Sequence, residues 1–166
     1  MSQSPTSAVP SRQVWLTIWG ALALAPIAYT IIAQQVAVTT PPSETLPLLR
    51  MVFLPVAALG FVAGSFLMSR AGTPGGFPPA PPASPDTPDL VAPASFQLRS
   101  VIAMALFESV AIYGFVLVFL GAPPLHILPW SATSFVGLVG IALPNGLAYW
   151  RRWEMDAART GPSAIG

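Results

Sequence analysis

The chain has no cysteine, no lysine and a single histidine, and only 8% of its 166 residues are charged. Each shortage excludes something. Without cysteine there are no disulfides, no thiolate nucleophile and no cysteine-based metal site. His126 cannot build a histidine metal centre by itself. A soluble domain carries about 25% charged residues, so low charge beside 54% hydrophobic content points to a membrane protein. The formal net charge of +1 offers no basic patch to neutralise phosphates, which argues against a nucleic-acid partner. The apolar segments hold no paired carboxylates and no nucleophile–base pair. The expectation is a non-enzyme with no cofactor and no metal.

Four apolar runs are present, at residues 14–36, 48–68, 100–120 and 127–150. Each is long enough to cross a bilayer, which takes about 20 residues. In lipid each must be helical to satisfy its own backbone, and no alternating pattern suggests a barrel. The predicted fold is all-α, an integral membrane four-helix bundle built from antiparallel hairpins. Six arginines (12, 70, 99, 151, 152 and 159) flank one face, and only Arg50 flanks the other. The positive-inside rule then places both termini in the cytoplasm with the loop at 70–99. Trp15, Trp150 and Trp153 fall at that inner interface, and Trp130 at the outer one. Residues 1–13 and 151–166 read as cytoplasmic tails, disordered in 1–13 and after about Asp156. The first run exceeds the usual 7–15 residues of a signal-peptide core, so a retained span is expected. Arginine without lysine suggests a GC-rich bacterial genome and hence a bacterial inner (cytoplasmic) membrane.

Prolines punctuate the chain. Residues 71–96 hold eight of them, so this loop is predicted to be extended polyproline II with turns, neither helix nor central strand. Pro79 and Pro82 have the spacing of a groove-docking motif, although a plain linker accounts for them. Pro26, Pro55 and Pro144 lie inside apolar runs, where each frees a carbonyl four residues earlier and can kink the helix.

Glu108 sits in the middle of the third run. A charged residue at a helix centre costs roughly 2.5–3.5 kcal/mol to insert, so a protonated, neutral Glu108 is expected. An acid at that depth reads as an ion path or as a polar contact between helices. Ala105 and Ala111 flank it and permit close approach of a neighbour. Gly60 and Gly64 form a G-x-x-x-G on the second run, which makes a small-residue seam between the two runs the predicted packing. Tyr29 lies just outside the middle of the first run. Side chains lean toward the helix N-terminus, so its hydroxyl can descend to Glu108.

The stretch 106–114, LFESVAIYG, resembles the outer helix of the rotor-ring c subunit (proteolipid) of F- and V-type ATPases. The resemblance covers residues 100–120, and 48–68 more loosely. In that family a small-residue helix, a cytoplasmic loop and an acid-bearing helix follow in this order, and the glutamate carries the ion. The resemblance implies that Glu108 is an ion or proton carrier, and the Glu108, Ser109 and Tyr113 pattern looks like sodium-binding members. The second run holds no mid-depth glutamine or acid, so a proton is the implied cargo. The long proline-rich loop and the two additional spans set this chain apart from an ordinary rotor subunit.

Two functional readings result. One is a structural or accessory multi-pass membrane protein in which a buried, protonated Glu108 fixes helix packing or assembly. The other is a proteolipid-like proton-carrying or channel subunit that uses Glu108. The expected partners are the lipid bilayer and either further copies of the chain or a larger membrane complex. For the orientation, a periplasmic reporter fused after Gly166 is expected to be inactive. A cysteine introduced at Ala83 is expected to resist labelling from outside the cell. Activity of the one or labelling of the other would reverse the assignment.

Overall fold

The computed structural model describes residues 11–36, 43–84 and 87–159. Among these residues there are four helical segments long and apolar enough to cross a membrane. The chain is therefore read as an all-α, multi-pass membrane protein. The disorder expected for residues 1–13 and after about Asp156 gives way to helix at Arg12, Gln13 and residues 157–159; residues 1–10 and 160–166 lie outside the described residues.

Helix α1 is Arg12–Val36, opened by Ser11, whose Oγ accepts from Val14 N at 3.3 Å. Helix α2 is Leu46–Arg70, with Pro47 in its first turn and Pro55 inside. Two short strands follow, β1 Pro82–Ser84 and β2 Thr87–Val91. Helix α3 is Pro93–Phe119. It starts seven residues before the expected boundary, because proline suits a first helical position that needs no amide donor. It ends at Gly121, whose φ is 95°. Ala122 N donates to Leu117 O and Gly121 N to Val118 O, both at 3.0 Å. That is a Schellman closure, and only glycine takes the left-handed position cheaply. The last segment is not one regular helix. After a 3₁₀ turn, Pro124–His126, it comprises α4 Ile127–Phe135, a π-helical stretch Val136–Ala142, and α5 Leu143–Arg159. Leu143 N donates to Leu138 O across five residues. Pro144 cannot donate to Gly140, and the ladder ahead of it has shifted register. Residues 151–159, expected as tail, continue α5.

Side-chain contacts give the helix directions. Trp15 reaches Ser100 and Tyr29 reaches Glu108, so α1 runs parallel to α3. Gly60 faces Leu106 and Ser109 while Gly64 faces Ala103 and Phe107, so α2 runs antiparallel to α3. Gly114 on Trp130 and Gly137 on Phe107 make the fourth segment antiparallel to α3 as well. Helix α3 is central: 44% of its most apolar window is buried inside the protein, against 17% for α1 and for α2. Leu24, Ile31, Met51, Leu54 and Leu59 on those outer helices are exposed, as lipid-facing residues are.

At the arginine-rich end the chain forms a compact cap. The loop expected as polyproline II instead folds into a hairpin, with β1 antiparallel to β2. Two strands have no centre, so proline's missing donor is tolerated there. Arg99, read from the sequence as a loop arginine, is 1% exposed. Its Nε donates to Pro78 O at 2.7 Å, and its Nη1 to Thr73 O and Ala71 O at 2.5 and 3.2 Å. Val91 N donates to Gly72 O, and Tyr149 Oη to Val91 O. Phe96 stacks on Tyr149 with centroids 3.7 Å apart. Trp15 and Trp150, expected as interfacial anchors, are buried in this core instead. Trp15 fits against Gly146, where any Cβ would collide with its ring.

A ring against a bare glycine backbone recurs at Gly137, where Phe107 occupies the place of a side chain. Gly137→Ala and Gly146→Ala should each lower stability by about 1–3 kcal/mol through overpacking. Gly20→Ala, where a Cβ meets nothing within 4 Å, should be neutral or stabilise by about 0.5–1 kcal/mol. Thermal unfolding in detergent measures all three, and equal effects would contradict the close packing.

Candidate functional site

Glu108 lies on the α1-facing side of α3 and is half-buried. Tyr29 Oη donates to Glu108 Oε1 at 2.9 Å. The Tyr29 ring rests against Phe115, centroids 5.5 Å apart, which fixes the direction of its hydroxyl. Glu108 and Phe115 are two turns apart on one helical face, so one tyrosine touches both.

This bond belongs to a series. Trp15 Nε1 donates to Ser100 Oγ at 2.9 Å, and Trp19 Nε1 to Leu138 O at 2.8 Å. Thr30 Oγ1 is 2.8 Å from Pro26 O and 2.9 Å from Ser131 Oγ. Helix α1 is thus tied by polar side chains to α3, to the π-helical stretch and to α4 along its length. The Trp19 bond reaches Leu138 O, the carbonyl that also closes the five-residue π ladder.

The other residues suggested by the rotor-ring resemblance point elsewhere. Ser109 Oγ donates to Leu106 O at 2.8 Å and lies opposite Gly60 on α2. Tyr113 packs on Phe53 of α2, centroids 5.0 Å apart. Ser109 and Tyr113 are four residues apart and share a face, whereas Glu108 is turned roughly 100° from Ser109. The implied trio of Glu108, Ser109 and Tyr113 is therefore split between α1 and α2 and does not form one ligand set.

The small-residue seam also differs from its predicted partners. Gly60 and Gly64 do face α3, but Ala105 is exposed. A residue two positions away lies nearly on the opposite side of a helix, and Ala103 takes the place expected of Ala105. Ala111 is fully buried. At Gly64 an added Cβ would sit 3.0 Å from the Phe107 ring and 3.1 Å from Ala103 O.

Two contacts had no clear signal in the sequence. The Arg99 clamp is one. The other is at the opposite end, where Arg50 Nη2 lies 2.8 Å from His126 Nδ1 and joins α2 to the turn before α4. Among the described residues no three His, Asp or Glu side chains are grouped to hold a metal ion. An apolar groove of about 410 Å³ lies between α2 and α4, floored by Val110 and walled by Phe61 and Trp130. It is on the far side of α3 from Tyr29.

No protein-family model, curated protein or solved structure matches the chain. The site is therefore read from its own chemistry.

The Tyr29–Glu108 bond is directly measurable. In a double-mutant cycle of Tyr29→Phe and Glu108→Leu, which removes the accepting oxygen, unfolding in detergent should give a coupling of about 0.6 kcal/mol, with about 1.7 as the upper range for such bonds in membranes. Strictly additive effects would mean that the two side chains do not interact.

Proposed function

We propose that the chain is a small multi-pass membrane protein of structural or accessory type. In this reading both termini and the proline-rich cap face the cytoplasm, and a protonated Glu108 fixes α1 to α3. The observation that carries the reading is that the Glu108 bond is one of a series of polar ties along α1. A carrier residue needs to leave its partner, whereas a tie needs only to keep it. In lipid, packing and interhelical hydrogen bonds replace the hydrophobic drive that water supplies. A sparsely buried helix such as α1 depends on them more than α3 does. The orientation rests on the arginines: residues 12, 70, 99, 151 and 152 lie at one end of the helices and Arg50 at the other.

One observation favours the alternative of a proteolipid-like proton carrier. Glu108 is only half-buried, so its carboxyl keeps an open side through which a proton could exchange. The two readings diverge on Glu108→Gln, which keeps the oxygen that accepts from Tyr29 but cannot release a proton. As an accessory protein, the variant should keep its stability and its association state, while Glu108→Leu should lose α1 packing. As a carrier, the wild type should assemble as a multi-copy ring by native mass, and Glu108→Gln should abolish proton flux in liposomes. A ring together with loss of flux would overturn the structural reading.

A further inference from the structure

The cap contains a cleft that the Glu108 reading leaves unused. It lies between the end of α2, β2 and α5, with a volume of about 190 Å³. Pockets for drug-sized ligands run from roughly 300 Å³ upward, so this cleft suits something smaller. Its floor is rigid: Tyr149 stacks on Phe96, and the tyrosine hydroxyl is already committed to Val91 O. Gly72 keeps the wall open, since a Cβ there would come within 2.9 Å of the Tyr149 ring.

The charges in the lining are of opposite sign and come from different elements. Asp89 is on β2 and Arg152 on α5. The ion pairs found among the described residues are Arg12 with Glu154 and Arg159 with Asp156. Asp89 and Arg152 therefore share a cleft without bridging it. Asn145 also lines the cleft, and its Nδ2 donates to Ile141 O, so its Oδ1 is left to accept. Ser69 Oγ donates to Phe66 O and keeps a lone pair for a further donor.

A simple cation would leave the arginine unmatched, and a simple anion would leave the aspartate unmatched. A molecule with an ammonium at one end and a phosphate at the other satisfies both. Its ammonium donates to Asp89 and Asn145 Oδ1, and its phosphate takes a forked contact from Arg152. We propose that this cleft binds such a zwitterion, the chemistry shared by a phosphatidylethanolamine headgroup and free phosphoethanolamine. The cleft lies at the arginine-rich ends of the helices, at the level where headgroups meet a membrane protein.

The test uses the purified full chain in detergent. Retention of phosphatidylethanolamine is compared with that of phosphatidylglycerol and phosphatidylcholine by native mass spectrometry. Soluble phosphoethanolamine is titrated by calorimetry. Phosphatidylethanolamine should be retained preferentially, because phosphatidylcholine lacks ammonium donors and phosphatidylglycerol lacks the positive charge. Asp89→Asn and Arg152→Gln should each weaken it about tenfold or more, the scale of one charged hydrogen bond. Both residues are exposed, so circular dichroism and melting should not change. Asp89→Asn should spare phosphatidic acid, which Arg152→Gln should not. Binding of free phosphoethanolamine as tight as that of the lipid assigns the site to a soluble ligand; binding of the lipid alone assigns it to the membrane. Retention indifferent to headgroup, or unchanged in both variants, overturns the proposal. Neither result bears on Glu108.

Discussion

A buried guanidinium needs acceptors, and that requirement organises one whole end of this protein. Removing an ion from water costs several kcal/mol even after relaxation, and among the described residues no acid forms an ion pair with Arg99 to offset the cost. Backbone carbonyls do so instead. Ala71, Thr73 and Pro78 supply them, and to reach one side chain they must bend back over the end of α2. A proline-rich segment is well suited to this task. Its carbonyls outnumber its amide donors, so many are left free for an outside donor. Once the loop is turned, Val91 meets Gly72, Tyr149 meets Val91, and the ring stack on Phe96 closes the cap. The cleft between Asp89 and Arg152 exists because these pieces are held apart at fixed positions.

Within the apolar depth of the protein the rules change. Lipid tails solvate leucine as well as leucine does, so burial alone holds no helix to another. Two devices replace it. Where α3 meets α2 and the fourth segment, rings and backbones approach through glycine, at Gly64, Gly114 and Gly137. Helix α1 has no such seam over most of its length, and a Cβ at Gly20 would meet nothing within 4 Å. It is held instead by indole, phenol and hydroxyl groups. Glu108 is the most costly member of that set in lipid, and Tyr29 meets it.

How much of this was legible in the sequence follows from which forces act locally. The spans were readable because twenty apolar residues can do little else in lipid. The approach of Tyr29 to Glu108 was readable from side-chain lean, given a parallel α1 and α3. The facing of Ser109 and Tyr113 was also present in the sequence. Their four-residue spacing puts them together and apart from Glu108, yet the family resemblance grouped all three. The burial of Arg99 was hidden, since an arginine beside a loop looks the same whether it faces water or carbonyls. The hairpin was hidden too, because its pairing depends on that clamp and on no strand-like alternation. Ala103 and Ala105 could be separated only by knowing which side of α3 the second helix occupies.

The π-helical stretch Val136–Ala142 has a consequence for the geometry of the fourth segment as a whole. An i→i+5 ladder turns through fewer degrees per residue than an α-helix, so it works as a phase shifter. Ser131 and Trp130 on the near side and Tyr149 and Trp150 on the far side belong to two angular frames. A single continuous helix could not aim the first pair at α1 and α3 and also keep the second pair wrapped into the cap. Seven residues of altered pitch let one span serve two differently oriented neighbourhoods, a rotational coupling set into the backbone itself.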